Sequence, residues 1–284
     1  MKKLFLLIFI LVVISFLVYW QYIRPLDDPS PVPLLGQHEQ EYRKITSEIS
    51  YGSVSAYTEF KMPTLTFTDI RQMEAGTMIP DSLLNPDILP ALFYSVPIDD
   101  IIKERVWNIS YPEDASIPLA ELRYLHVLHR DINGITYTGE LIVNKSIAED
   151  VLKIFYELYI QNYPIERMVL IDEYDGDDIA SMEDNNTSSF NFRFIGASKN
   201  LSNHSYGMAI DINPRYNPYV SGSGQNIYVS PEDSKAYADR EQEFPYKIEA
   251  DDLCVKLFKE YGFSWGGDWP AEKDYQHFEK YPVQ

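Results

Sequence analysis

The segment at 201–214, LSNHSYGMAIDINP, places an aspartate inside an apolar run, and this feature limits the possible folds of the chain most. If the MAIDI stretch forms a buried strand, an ionised Asp211 must be paired or bound to a cation. His204 precedes it by seven positions, so the two side chains would face opposite ways on one strand, or lie about 10 Å apart along one helix. They can meet only if the chain turns between them, and Gly207 permits such a turn.

The C-terminal stretch at 265–282, WGGDWPAEKDYQHFEKYP, contains a second pair of candidate functional residues. His277 follows Asp274 by three positions, and a helical turn would place both side chains on one side. A zinc hydrolase needs a histidine ligand and a nearby carboxylate that accepts a proton from the activated water. With His204 and Asp211, His277 would give three ligands and leave a fourth metal position open, which is typical of a catalytic site.

The residues around these positions resemble the D-alanyl-D-alanine carboxypeptidase family of zinc peptidases. More narrowly, they are similar to the branch that contains the L-alanyl-D-glutamate endopeptidases of bacteria and of phage endolysins. The resemblance extends over residues 120–281. It is carried by Ser202-x-His204-x-x-Gly207-x-Ala209-x-Asp211, by Trp-Gly-Gly-Asp-Trp at 265–269 and by Asp274-x-x-His277-Phe278.

The resemblance implies roles for five residues. In this family, positions equivalent to His204, Asp211 and His277 bind zinc, and the position equivalent to Asp274 is the catalytic base. The resemblance also implies that Arg193, upstream of the first ligand, contacts the substrate. It implies a hedgehog/DD-peptidase fold, in which helices flank a small antiparallel sheet.

The order of local patterns independently favours an α+β fold, because strands and helices do not alternate as they do in a parallel sheet. Asn133-Gly134 predicts a tight β-hairpin. A capping box of Ser146 and Glu149 predicts the start of a helix with apolar residues at helical spacing. The stretches MVLIDEY and GMAIDINP predict strands, and residues 249–261 predict a second helix that ends at a glycine.

The N-terminal residues 1–24 predict an uncleaved membrane anchor. Two lysines precede an apolar run from Leu4 to about Trp20, and no small-x-small cleavage site follows. The lysines place the N-terminus in the cytoplasm by the positive-inside rule. We therefore expect a single-pass protein of the cell membrane with its catalytic domain on the extracytoplasmic side.

The remaining organisation is expected to have three parts. The proline-rich residues 25–36 predict a stiff linker. Residues 37–116 show no repeat and are interpreted as a stalk or accessory region, and residues 117–284 as the zinc peptidase domain.

Charge and cysteine content exclude other classes of protein. With 43 acidic and 24 basic residues the net charge is −19, so a nucleic-acid partner is not expected. Cys254 is the only cysteine, which excludes a disulfide framework and a thiolate zinc cluster. His126 and His129 face opposite ways on a predicted strand and are interpreted as hydrogen-bonded structural residues. The acid-rich stretch at 171–184 lacks EF-hand spacing and is interpreted as a solvated loop.

The first functional hypothesis is a Zn²⁺-dependent peptidase that hydrolyses peptidoglycan stem peptides. L-Ala-D-Glu endopeptidase and D-Ala-D-Ala carboxypeptidase activity both remain open. A second hypothesis is a catalytically inactive, metal-binding cell-wall receptor or scaffold, and loss of the base would be its signature. A third is a peptidase that acts on a protein or on a small D-amino-acid dipeptide.

Overall fold

Residues 70–196 and 198–281 are described by a computed structural model, and they fall in the unit that spans Pro63–Gln284. The predicted anchor at 1–24, the linker at 25–36 and the part of the stalk or accessory region before residue 70 lie outside the described residues. Among the described residues, no helix is long and apolar enough to cross a membrane.

The regular elements are short except for one hairpin and one helix. The strands are β1 (Met78–Ile79), β2 (Tyr94–Pro97), β3 (Leu122–Arg130), β4 (Thr136–Asn144), β5 (Ala209–Asp211), β6 (Tyr219–Ser221), β7 (Tyr228–Ser230), β8 (Ser264–Trp265), β9 (Lys273–Asp274) and β10 (His277–Glu279). The α-helices are α1 (Asp100–Val106), α2 (Ala148–Ile160), α3 (Asp178–Glu183) and α4 (Leu253–Glu260). The 3₁₀ helices are Asp81–Leu83, Leu89–Leu92, Leu119–Glu121, Ile171–Tyr174, Asn203–Tyr206, Gly224–Asn226, Glu232–Ala238 and Gly266–Asp268.

The predicted hairpin is formed by β3 and β4, which pair from Leu122↔Asn144 to Arg130↔Thr136. Its turn is longer than the two-residue turn expected from the sequence. Gly134 has a φ of 77°, but Asn133 does not adopt a positive φ. The Asp131 side chain accepts hydrogen bonds from the backbone N–H groups of Asn133 and Ile135, and so stabilises a longer loop.

The hairpin is the centre of a four-stranded antiparallel sheet with the order β1-β4-β3-β2. Its outer strands β1 and β2 come from the region interpreted as a stalk or accessory region. The sheet therefore crosses the boundary expected at residue 117.

Helix α2 packs on one face of this hairpin, and its apolar stripe is buried. Val151, Ile154, Phe155 and Leu158 are at most 1% exposed, and each such burial contributes about 1.5–3 kcal/mol. The expected capping box is wrong: the N-cap is Ile147, which makes no side-chain cap bond. The Ser146 hydroxyl instead donates to Asn144 Oδ1, which also accepts from the Ser146 N–H.

Helix α4 links this core to the C-terminal strands. Asp252 caps its start by accepting from the Cys254 N–H, and Cys254 is fully buried. Gly262, with a φ of 81°, ends the helix in a Schellman motif in which the Phe263 N–H donates to the Phe258 carbonyl. The Phe258 ring stacks on Phe278 of β10 at a centroid distance of 4.3 Å, so the helix supports this strand.

The strand predicted for MVLIDEY is absent, and this expectation was wrong. At Val169 the side chain of Asn186 takes the place of a neighbouring strand. It accepts from the Val169 N–H at 2.9 Å and donates to the Val169 carbonyl at 3.0 Å. The rest of the stretch forms the 3₁₀ helix Ile171–Tyr174.

Two three-stranded antiparallel sheets complete the described fold, with the orders β5-β10-β8 and β7-β6-β9. The first of them sets Asp211 of β5 directly opposite His277 of β10. Small antiparallel sheets with separate helices confirm the α+β class expected from the sequence.

The turn at Gly207 generates a prediction about stability. Gly207 has a φ of 64°, and a Cβ at this position would lie 2.6 Å from the Asn144 backbone nitrogen. Gly207→Ala should therefore lower the free energy of unfolding by about 3 kcal/mol or more, from both backbone strain and the clash. Chemical denaturation of the full-length chain measures the change.

Gly134→Ala is the matched control, because Gly134 also has a positive φ but a Cβ there would meet nothing within 4 Å. It should cost only the backbone strain, about 1–2 kcal/mol. Equal losses in the two variants would contradict the proposed close approach.

Candidate functional site

His204 lies in the short 3₁₀ helix Asn203–Tyr206, which begins and ends at residues suited to those positions. Ser202 is the N-cap, and its hydroxyl accepts a hydrogen bond from the His204 N–H at 3.3 Å. Gly207 ends the helix in the left-handed conformation, and β5 follows two residues later. The chain thus turns between His204 and Asp211 where their spacing required it.

His277 reaches the same place through strand pairing. In the antiparallel pair of β5 and β10, His277 is opposite Asp211, Phe278 opposite Ile210 and Glu279 opposite Ala209. Directly opposite residues project from the same face of a sheet. The register therefore brings together side chains that are 66 positions apart in the sequence.

The ligand atoms of His204, Asp211 and His277 converge in a buried group that could hold a metal ion. His204 Nε2 lies 3.3 Å from His277 Nδ1 and 3.2 Å from Asp211 Oδ2, and His277 Nδ1 lies 3.0 Å from Asp211 Oδ1. Two ligands bound tetrahedrally with bonds of about 2.0–2.1 Å are separated by about 3.3 Å. The spacing of these atoms therefore fits a tetrahedral metal ion.

The outer nitrogens of both rings are hydrogen-bonded away from the group. His204 Nδ1 lies 2.6 Å from the Ser189 carbonyl oxygen, and His277 Nε2 lies 3.2 Å from Glu279 Oε2. Such bonds place a proton on the outer nitrogen and leave the inner nitrogen free to bind a metal. The tautomers that a metal ion requires are thus favoured by the surrounding protein.

The carboxylates of Asp211 and Glu279 favour a positive charge on the His277 ring, which contacts both of them. Burial alone would raise the pKa of Asp211, but His204 and His277 beside it hold this pKa well below its ordinary value. Burial alone would lower the pKa of His277, but its hydrogen bonds to Asp211 and Glu279 raise it to about 10. The carboxylates thus stabilise a cation at the His277 ring, which can be a proton or a metal ion.

Asp274 lies beside this group but on a different element from the one expected. It belongs to β9, which pairs with β6, and two residues separate it from His277 in β10, so the predicted helical turn is wrong. Its Oδ1 atom is buried and has no hydrogen-bond partner. Burial raises the pKa of Asp274 to about 6, with Asp211 adding to the increase and His277 opposing it. A carboxylate with one unpaired oxygen and such a pKa is suited to proton transfer near neutral pH.

The two glycines of the WGGDW stretch allow close packing against Asp274 and Trp265. A Cβ on Gly266 would lie 2.5 Å from the Asp274 carbonyl oxygen, and one on Gly267 would overlap the Trp265 ring. Trp265 is a core residue, whereas the Trp269 ring lies 5.5 Å from the His277 ring and forms a wall of the group. One tryptophan therefore stabilises the fold and the other borders the site.

The buried group of His204, Asp211 and His277 is called the metal-ligand group below, and Arg193 does not belong to it. Its guanidinium forms an ion pair of 2.7 Å with Asp178 at the start of α3, and its Nε is buried without a partner. The Arg193 N–H donates to the Ser205 hydroxyl, which attaches this residue to the 3₁₀ helix of His204. The predicted role of Arg193 in substrate binding stays a prediction.

Glu279 is the residue near the group that sequence reasoning missed. It contacts His277 Nε2 and is 6% exposed. It follows His277 by two positions, and residues two apart on a strand share a face. This signal becomes visible only when the HFE stretch is read as a strand rather than as part of a helix.

A cavity of about 1020 Å³ lies elsewhere in the described structure and contains none of these residues. It is lined by parts of β2, β3 and α1, and the ion pair of Arg105 with Glu140 is among its charged groups. His126 and His129 also lie outside the metal-ligand group and bond through Nδ1 to backbone carbonyl oxygens. The buried His-Asp-His group therefore remains the candidate site.

Residues 196–280 match the family model described as D-alanyl-D-alanine carboxypeptidase. The family resemblance is confirmed over this segment. The segment contains His204, Asp211, Asp274 and His277, whereas Arg193 precedes it. This segment is therefore similar to a family of peptidases. No curated protein and no solved structure matched the chain.

The raised pKa of His277 predicts that metal binding releases a proton. With a pKa of about 10 in the metal-free protein, the ring is protonated at pH 7, and its Nδ1 must lose a proton to become a ligand. Calorimetric titration of the metal-free protein with Zn²⁺ in buffers of different ionisation enthalpy should show release of about one proton. A binding enthalpy that is independent of the buffer would contradict this prediction.

Proposed function

We propose that this chain is a zinc-dependent peptidase that hydrolyses stem peptides of peptidoglycan. The observation that supports it best is the tetrahedral spacing of the His204, Asp211 and His277 ligand atoms. These residues lie inside the segment that matches the carboxypeptidase family. The proposal includes the hedgehog/DD-peptidase architecture and a location on the extracytoplasmic side of the cell membrane.

The donor set supports zinc as the metal. Two imidazole nitrogens and one carboxylate oxygen are common ligands of catalytic zinc, and three protein ligands leave one position open. When bound, zinc would polarise the scissile carbonyl and lower the pKa of a water molecule.

The residues of this chain would then carry out the proton transfers. Asp274, with its buried and unpaired Oδ1, accepts the proton of the attacking water and later donates it to the departing amine. Asp211 and the two histidines hold the metal ion, and Trp269 limits access of solvent from one side. Arg193 is proposed to contact the substrate through its guanidinium group, whose side chain is 32% exposed and pairs with Asp178.

Cleavage between L-Ala and D-Glu and removal of the terminal D-Ala are the two specificities that we propose as alternatives. The charge of Arg193 is already compensated by Asp178, and both substrates carry a carboxylate near the scissile bond, so this ion pair does not separate them. The masses of the products distinguish the two.

The alternative of a catalytically inactive receptor requires a metal site without a base. Asp274 is present and is close enough to His277 and Asp211 to be affected by their charges. This favours an enzyme over a receptor or scaffold. Action on a protein or a small dipeptide would appear as cleavage of those substrates without cleavage of muropeptides.

Asp274→Asn should retain zinc and lose activity, because the amide cannot accept the proton. We expect kcat to fall by a factor of about 10²–10⁴. The measurement is mass spectrometry of muropeptides after incubation with the purified full-length chain, with and without a chelator, together with metal analysis of each variant. His204→Ala and His277→Ala should lose both zinc and activity.

Asp268→Asn is the matched control, because Asp268 lies near Asp274 in sequence but is half-exposed and paired with Lys259. It should cleave at the wild-type rate. If no muropeptide changes mass with the zinc-loaded wild type, the receptor hypothesis is favoured. If Asp274→Asn cleaves as fast as the wild type, the proposed base is wrong.

The pKa of Asp274 also predicts the acid limb of the pH profile. Asp274 must be ionised to accept a proton, and its pKa is about 6 without metal. A bound divalent cation favours the ionised form, so kcat/KM should fall only as the pH decreases through about 6 or below. Zinc content measured at each pH separates this effect from loss of metal. An acid limb above pH 7 would contradict the assignment of Asp274.

A further inference from the structure

Glu279 makes three hydrogen bonds although it is almost completely buried. Its Oε2 accepts from His277 Nε2 at 3.2 Å and from the Asn203 amide, and its Oε1 accepts from the Tyr281 hydroxyl at 2.7 Å. Within residues 70–196 and 198–281, no lysine or arginine forms an ion pair with Glu279. The charged group that Glu279 contacts is thus the ring of His277.

This contact determines which nitrogen of His277 faces the metal-ligand group. An ionised carboxylate only accepts hydrogen bonds, so Nε2 must carry a proton where it meets Glu279. The lone pair of the neutral ring is then on Nδ1, the atom that lies 3.3 Å from His204 Nε2. The alternative tautomer would direct an N–H group at the position of the metal ion.

The same carboxylate also connects the two segments that carry the histidines. Asn203 immediately precedes His204 in the 3₁₀ helix, and His277 and Glu279 belong to β10. Because Oε2 accepts from both Asn203 and His277, it holds the start of the helix against the strand. The distance between the two histidine ligands therefore depends on Glu279.

We propose that Glu279 is a positioning residue of the metal centre, which fixes His277 as an Nδ1 ligand and ties Asn203 to β10. The inference rests on the proposed function, since it assumes that zinc binds to His204, Asp211 and His277. Partners of this kind orient histidine ligands in metal proteins, and their loss typically weakens metal binding by a factor of about 10–100.

The test compares zinc affinity in variants of the full-length chain. Zn²⁺ is titrated in competition with a chromophoric chelator into the wild type and Glu279→Gln. The variant should bind zinc about 10–100-fold more weakly, because a neutral amide is a poorer acceptor and can instead present an N–H group to Nε2. Histidine ring ¹⁵N NMR of the zinc-loaded wild type should show a protonated Nε2 and a metal-bound Nδ1 for His277.

Two further variants separate a positioning role from a loss of folding stability. Glu140→Gln is the matched control, because Glu140 is also buried and bonded to a tyrosine and a cation, yet lies outside the metal-ligand group. It should lower the thermal midpoint while zinc affinity stays at the wild-type value. Glu279→Asp keeps the charge with a shorter reach, and its affinity should lie between those of Glu279→Gln and the wild type.

The outcomes distinguish this inference from the proposed function. If the wild type binds zinc and Glu279→Gln binds it equally tightly, the positioning role is overturned and the metal centre stands. An Nδ1-protonated His277 in the zinc-loaded wild type would also overturn it. If the wild type does not bind zinc, both the proposed function and this inference are overturned.

Discussion

The pairing of β5 with β10 is the interaction on which the candidate site depends. It places a buried aspartate directly opposite a buried histidine, and Asp211 has no lysine or arginine partner among the described residues. Removing one partner of a buried charged pair typically costs about 3–5 kcal/mol, so the register of these short strands has a strong energetic preference. A shift by one residue would turn His277 to the opposite face and leave Asp211 without this partner.

The rest of the fold keeps this pair of strands in place. Phe278 stacks on Phe258 of α4, and Phe258 packs edge-on against Phe155 of α2, so a continuous apolar contact runs from β10 to the helix on the large sheet. On the other edge of β5, Asp211 exchanges backbone hydrogen bonds with Ser188. Because β5 is held on both edges, the carboxylate of Asp211 projects from a rigid backbone toward the two histidines.

The candidate metal ligands could be recognised from the sequence, whereas the residues and strand pairings around them could not. A histidine, a glycine and a buried aspartate with the observed spacing require a turn at Gly207, and this turn is a local property of the chain. The position of Asp274 depends instead on the pairing of β9 with β6, a contact that three-residue spacing cannot reveal. The prediction of a strand for MVLIDEY was also wrong because of a contact distant in sequence. The side chain of Asn186 bonds to the Val169 backbone in place of a strand partner. Glu279 follows His277 by two positions, but this spacing indicates a shared face only if the segment is known to be a strand.

Three acidic side chains surround the two histidines, and their charges couple cation binding to folding. With Asp211, Asp274 and Glu279 ionised and both rings neutral, the group would carry three negative charges, two of them on buried side chains. Like charges at such distances are destabilising unless a cation lies between them. In the absence of a metal ion, a proton on His277 partly fulfils this requirement. A divalent cation compensates more of the charge and binds the folded form preferentially, so the arrangement that would activate water also stabilises the contact between β5 and β10.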